Sequence, residues 1–430
     1  MGLLSYLTVE LFSIIIKQIL SDEILKKEES MDKRYEDMWT SSLAGRTKRL
    51  TRSVIRELLK VAQDPTVISF AGGWPAPELF PKREVEEACR YLLPRQGEVM
   101  LQYGPTEGVK PLKEFLAKKS GKYGIPAEPE NILLTCGSQQ ALDLLGKVFI
   151  NEGDRILITA PTYLGAIQAW RLYGPEFVTC GMDDNGVLIE DVEKVLKDGP
   201  VKFMYMLPNF HNPAGVTIPL ERRKKLTQLA EEYNTFIIED DPYGELRYEG
   251  EDIAPIISLK KERVIYLATF SKTLTPGLRL GWILAPEFIL QKIIQAKQGA
   301  DLHTGTFVQY IANDICQRGI LKAHMEKLRK AYKERRDVML QSMEKYFPED
   351  AKWTHPKGGL FLWVTLPKHI DTKILYQKAM EYKVAFVPGF AFYPTEGGGK
   401  NNMRLNFSNT LPDKIEEGIK RLGDLLKKEL

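Results

Sequence analysis

Five short apolar runs in the middle of the chain each end in residues able to do chemistry. The run 132–135 is followed by Cys136-Gly137-Ser138-Gln139, where a glycine precedes a helix-like segment. Glycine lets the backbone approach a ligand, and a helix N-terminus offers free N–H groups to an anion. The run 155–160 leads into Pro161-Thr162-Tyr163, and 201–207 into Pro208-Asn209-Phe210-His211-Asn212-Pro213-Ala214-Gly215. The run 236–238 leads into Glu239-Asp240-Asp241-Pro242-Tyr243, and 264–268 into Thr269-Phe270-Ser271-Lys272. The five ends supply a phosphate-type loop, an aromatic ring, an amide, a carboxylate and a lysine. Each has an ordinary explanation when taken alone. Ser138 can cap a helix, Tyr163 can pack, Asn212-Pro213 can turn, Asp240 can pair with a surface cation and Lys272 can be solvated.

The elements that must position these groups are legible in the apolar pattern. Segments 138–150 and 219–233 carry apolar residues at helical spacing, and a helix is expected from Pro161 onward. Residues 177–179 read as a weaker strand. Apolar strands alternating with amphipathic helices predict βα units, an α/β fold whose mostly parallel sheet is covered on both faces. Ligands of such sheets bind at the carboxyl ends of the strands, where the five polar groups lie. Beyond about residue 300 the texture changes. Segment 304–346 is mostly helical, 361–366, 384–387 and 403–407 read as strands, and 412–430 as a closing helix. That pattern predicts a second, α+β domain. Residues 47–63 are expected to be helical.

Composition narrows the function classes. The chain has 430 residues, 43% of them apolar, and a net charge of +3. At roughly 100–200 residues per domain, two or three domains are expected. So small a basic excess argues against nucleic acid as the main partner. Four widely spaced cysteines make no disulfide framework or zinc site, and the five histidines have no metal-ligand spacing, so no metal is expected. A reducing cytoplasm fits that usage. No P-loop, zincin, serine-hydrolase or GxGxxG motif stands in the sequence. The apolar stretch 3–20 is interrupted by Glu10 and Lys17, which makes it a poor membrane span, and no membrane association is expected. Met31 opens a segment that reads like a natural start, so 1–30 is expected to be an over-called or loose extension.

In this order the polar groups resemble the fold-type I, class I aminotransferases, which depend on pyridoxal 5'-phosphate. The resemblance rests on Pro208-Asn209-x-x-Asn212-Pro213-x-Gly215 and on Ser271-Lys272 with Arg279 seven residues on, and it spans residues 45–425. It implies a large cofactor-binding domain (76–303) with a seven-stranded type of sheet. It also implies a small C-terminal domain (304–430), with 31–75 packing beside it. By the same resemblance Lys272 forms the internal aldimine and then moves the substrate proton. Asp240 bonds the pyridine nitrogen, Asn212 and Tyr243 bond the phenolic oxygen, and Tyr163 stacks on the ring. Ser138, Gln139, Thr269, Ser271 and Arg279 hold the phosphate. Arg404 grips the substrate α-carboxylate, and Tyr103 reaches the cofactor of a partner subunit, so a homodimer with shared sites is implied.

The segments Ser53-Val54-Ile55-Arg56-Glu57-Leu58-Leu59 and Ile68-Ser69-Phe70-Ala71-Gly72-Gly73-Trp74-Pro75 resemble the kynurenine/2-aminoadipate aminotransferase group. There the residue at Gly73 touches substrate through its backbone, and that at Arg56 meets a distal carboxylate. Trp74 departs from that group, standing where a smaller apolar residue is expected. It either forms an aromatic wall of the pocket or packs. The expected reaction moves an amino group from an aromatic amino acid, kynurenine, 2-aminoadipate or glutamate to 2-oxoglutarate. It runs by a ping-pong route through aldimine, quinonoid and ketimine. A β-lyase or a cyclopropane-forming synthase would use the same Lys272 and Asp240. A regulator with an aminotransferase-like domain is more remote, since no helix-turn-helix pattern precedes the resemblance.

Overall fold

A computed structural model describes residues 33–50 and 64–430. Residues 33–50 belong to a unit of their own, with a helix over 33–42 and a 3-10 turn at Gly45–Arg49. The helix expected over 47–63 is not continued there, because Leu50 has extended backbone (ψ 125°). The rest of that segment, Arg56 included, lies outside the described residues, as does 1–30.

The main unit opens with strand β1 (Ile68–Ser69), and its large sheet has seven strands. These are β2 (Ile132–Thr135), β3 (Arg155–Thr159), β4 (Glu176–Cys180), β7 (Met204–Met206), β8 (Ile237–Asp240), β9 (Val264–Thr269) and β10 (Gly281–Leu284). A small hairpin of β5 (Met182–Asp183) and β6 (Gly186–Val187) stands apart from them. The order across the sheet is β2-β10-β9-β8-β7-β3-β4. Six strands run parallel, and β10 runs against both of its neighbours. Alternate residues feed two cores, as the two-residue period of a strand requires. Ile156, Ile158, Phe203, Tyr205 and Ile238 pack on one face; Leu157, Met204, Met206 and Ile237 pack on the other.

Sequence reading missed β10. Its four residues are one apolar run after Arg279, too short to show a direction. The expected strand 201–207 forms its ladder only at 204–206, and the helix expected from Pro161 begins at Leu164, after Tyr163 with extended backbone.

The second sheet is antiparallel, in the order β11-β12-β15-β14. It comprises β11 (Lys352–Trp353), β12 (Phe361–Thr365), β14 (Val387–Pro388) and β15 (Asn402–Asn406). The expected strand 384–387 divides between two sheets. Its first half, β13 (Val384–Ala385), pairs in parallel with β1, while β14 pairs with β15. This split seats the segment after β1 beside β15, where Asn406 N–H donates to Phe70 O at 2.9 Å. The helix Ile320–Tyr346 and the closing helix Pro412–Glu429 pack together against this part. No described helix is long and apolar enough to cross a membrane.

Candidate active site

The carboxyl ends of β2, β3, β7, β8 and β9 converge on a cavity of about 280 Å³. Its lining includes Ser138, Gln139, Tyr163, Asn212, Asp240, Tyr243, Thr269, Ser271, Lys272 and Arg279, with Gly73 and Arg404 arriving from the other side. The first ten come together because parallel strands point their carboxyl ends the same way.

One end of the cavity is built for an anion. The helix Ser138–Phe149 starts there, and Gly137 precedes it at φ +76°, a backbone that favours glycine. A Cβ on Gly137 would stand 2.8 Å from the Arg279 guanidinium. Arg279 donates to Cys136 O at 3.2 Å and lies 3.5 Å from Ser271 Oγ, while Thr269 Oγ1 donates to Ser271 Oγ at 2.9 Å. Gly281 of β10 packs against the same loop, and a Cβ there would lie 2.9 Å from Gly137 C, Ser138 N and Ala268 O. The loop is anchored from behind by fully buried Lys297, which pairs with Asp301 at 2.7 Å and donates to Gln140 Oε1 at 3.1 Å. Gln140 Oε1 in turn accepts from Cys136 N–H at 2.8 Å.

The other end is a buried polar cluster. Asp240 closes β8, and its Oδ2 accepts from Tyr205 OH at 2.8 Å. Burial and neighbouring Asp241 raise the Asp240 carboxyl to about 7, against the effect of Tyr205. Lys272 is half-buried and donates to Gly73 O at 2.7 Å. Burial, with Arg404 and Arg279 nearby, lowers its amine to about 8. Arg404, on β15, donates to Asn212 Oδ1 at 2.9 Å and to Ala71 O at 2.8 Å, and its guanidinium lies 4.3 Å from the Phe361 ring. Burial lowers Arg404 to about 10, still far above neutrality, so its charge is kept. Tyr243 OH lies 3.5 Å from Asn212 Nδ2, and Tyr163 OH 3.3 Å from Gln139 Oε1. Burial raises both phenols, Tyr163 to about 12.

Eight buried side-chain polar atoms lack a partner among the described residues, and three of them belong to this cavity: Ser138 Oγ, Asp240 Oδ1 and Arg404 Nε. Buried polar groups are seldom left unpaired, so the concentration marks places where a ligand completes the bonding. An acceptor at one end and donors at the other two places fit a group with a protonated ring nitrogen, a phosphate and a carboxylate.

Trp74 lines the cavity while 54% exposed, so it serves as wall rather than core. Tyr103 is not brought to this cavity within one chain: it is 78% exposed, edge-on to His303 at 5.7 Å. Sequence reading missed Tyr205, Leu207, Pro242, Pro276 and Phe361 at or beside the site. Tyr205 lies inside an apolar run, where only its hydroxyl, two residues short of the run's end, hints at a polar neighbour. Among the described residues no group of three or more His, Cys, Asp or Glu is placed to hold a metal ion.

A doubly covered sheet with a lysine, a carboxylate and an anion loop at its carboxyl edge defines the class of enzyme. The chain belongs to the class I and II aminotransferases, whose family profile it matches over residues 80–422. It is 46% identical over 418 residues to aromatic-amino-acid aminotransferase 1 of Thermococcus litoralis, covering 96% of this chain and 99% of that protein. It is 44% identical over 393 residues to a 2-aminoadipate transaminase of Thermus thermophilus, covering 90% and 97%. The solved structure of Pyrococcus horikoshii kynurenine aminotransferase superposes with a TM-score of 0.88 at 45% identity, covering 91% of this chain and 98% of that one. LysN of Thermus thermophilus, solved with N-(5'-phosphopyridoxyl)-L-leucine, superposes at 0.85 and 43% identity, with the same coverage.

Proposed function

We propose that this enzyme uses pyridoxal 5'-phosphate to transfer amino groups from aromatic amino acids, kynurenine or 2-aminoadipate to 2-oxoglutarate, in two half-reactions sharing one cavity. The observation that carries the reading is the trio of orphaned atoms, Ser138 Oγ, Asp240 Oδ1 and Arg404 Nε, spaced around Lys272. When bound, the cofactor supplies an electron sink for the charge left on the substrate Cα. Ser138, Gln139, Thr269, Ser271 and Arg279 hold its phosphate, Arg279 through charge-assisted donors. Asp240 faces the ring nitrogen and keeps the proton on it. Asn212 and Tyr243 orient the ring oxygen, and Tyr163 stacks on the ring.

Arg404 grips the substrate α-carboxylate through its fork of donors. Lys272 Nζ, once free, takes the proton from Cα and returns it one atom further along, as base and then acid. Its lowered basicity suits both roles near neutral pH. Gly73 touches substrate through its backbone, as its carbonyl already touches Lys272. Arg56, assigned from sequence alone, meets the distal carboxylate of acidic substrates. Trp74 gives aromatic side chains a wall.

Two subunits complete the site in this reading, with 76–303 and 304–430 as large and small domains. Supporting the dimer, Val99, Leu101, Tyr103 and Leu302 are all exposed, and Tyr103 stands edge-on to His303, next to Leu302. Thr306 Oγ1 ties 100–102 to the segment after Leu302 by a shared bond to Met100 O and Gln102 O at 2.8 and 2.9 Å. The four described cysteines are all free, which supports a reducing cytoplasm.

The test is the absorbance of purified protein. A yellow band should bleach with an amino donor and return with 2-oxoglutarate, and the Lys272→Ala variant should be colourless and slower by at least about a thousandfold. Undiminished turnover by Lys272→Ala would overturn the assignment. A donor panel run on the same protein then ranks the substrates.

A further inference from the structure

The neighbour that fixes the Asp240 carboxylate lies in the sheet and outside the cavity. Tyr205 on β7 pairs in register with Ile238 on β8. Asp240 stands two residues beyond Ile238 and therefore on the same face of the sheet. The Tyr205 ring is fully buried and held edge-on by Trp170 at 5.0 Å, and Trp170 is itself pinned by its indole N–H to Leu142 O at 2.8 Å. Phe203 packs on the same indole at 5.1 Å. The phenol hydroxyl so placed donates to Asp240 Oδ2 at 2.8 Å. Among the described residues it is the only hydrogen-bond donor to that carboxylate, whose Oδ1 has no partner.

We infer that Tyr205 is a positioning residue for the reaction: its hydroxyl captures one oxygen of Asp240 and thereby aims the other into the cavity as an ionised acceptor. The inference rests on the reading that Asp240 faces the cofactor's ring nitrogen. A carboxylate is free to turn about its last bond, and a buried one with no donor takes up a proton rather than keep its charge. One rigid donor on the sheet side corrects both faults. It fixes the orientation, and it favours the charged form that a protonated ring nitrogen requires. Burial and Asp241 push the Asp240 carboxyl up, and Tyr205 is the one hydrogen-bond partner acting to lower it. The phenol does this without adding a charge of its own beside the carboxylate.

The test is a double-substitution cycle read by cofactor affinity, measured as apoenzyme is titrated with pyridoxal phosphate. Y205F should weaken the cofactor roughly 10- to 100-fold, the usual effect of losing a hydrogen bond to a charged group. It should lower kcat with little change in KM. D240N should weaken the cofactor at least as much, and the double variant should be no weaker than D240N, because the hydroxyl acts only through the carboxylate. Losses that multiply in the double variant would overturn the inference, since they would show that Tyr205 merely packs. Wild-type behaviour of Y205F beside an impaired D240N overturns this inference alone; wild-type behaviour of D240N overturns the reading of Asp240 and this inference with it. Should Y205F fail to fold, fluorinated tyrosines at position 205 keep the ring and change only the hydroxyl's acidity. Cofactor affinity should then track that acidity, and a flat response counts against the role.

Discussion

At the scale of the residue, the lysine sets the timing of the site's assembly. Its amine is lowered to about 8 by burial and by two arginines, so above that pH it is the neutral nucleophile and below it the inert ammonium. The rate at which added pyridoxal phosphate captures Lys272 in the apoenzyme should therefore rise about tenfold per pH unit up to about 8 and then level. Stopped-flow absorbance checks this; a rise continuing to the ordinary lysine value of 10.5 would show the amine to be unperturbed. Ser138, Gln139, Tyr163, Asn212, Asp240, Tyr243, Thr269, Ser271 and Lys272 were legible in the sequence because each stands shortly past an apolar run, whereas Arg279 rested on the family motif. Tyr205 was not, because a hydroxyl inside a run looks like core until the neighbouring strand's register is known. Arg404 was legible only through family resemblance, since nothing local ties residue 404 to residue 212.

At the scale of the element, the anion end of the cavity depends on one turn between β2 and the helix Ser138–Phe149. Gly137 holds φ +76°, and a Cβ built on it would stand 2.8 Å from the Arg279 guanidinium. Gly137→Ala should weaken cofactor binding by roughly 10-fold or more, since a side chain in a strained backbone region costs on the order of 1–3 kcal/mol. Equilibrium dialysis of the variant measures it, and unchanged affinity would show that the loop relaxes. The parallel strands and their helices were predictable from two-residue and helical periods. β10 was not, because direction is a tertiary property that four apolar residues do not encode. The division of 384–387 between two sheets escaped for the same reason: the run is continuous, and only its partners divide it, β1 beside 384–385 and β15 beside 387–388.

At the scale of the whole molecule, three consecutive acids at the end of β8 set a pH dependence. Burial raises Glu239 and Asp240 to about 7, and Asp241 in the same direction. The folded state thus binds more protons than the unfolded chain between the ordinary carboxylate range and about 7, so stability falls as pH rises through that window. The apoenzyme should melt higher at pH 6 than at pH 8, and Asp240→Asn should flatten the slope. Calorimetry decides, and a Tm that climbs with pH would contradict the burial. The exposed flank makes a second prediction. Leu101 is 73% exposed, and if the proposed dimer forms through it, Leu101→Asp should sediment as a monomer and bind the cofactor more loosely. Dimers that persist would place the interface elsewhere.

The reversed strand carries one more implication, for how this chain tolerates change. Gly281 lines no part of the cavity, yet its backbone lies against the turn that starts the anion loop, with 2.9 Å where a methyl group would have to go. Any larger residue there must push the loop or the neighbouring strand aside. In a saturation screen scored by activity, position 281 would behave like an active-site residue. In one scored by expression it would be mistaken for core. The difference between the two maps would expose β10 as the template on which the loop is moulded.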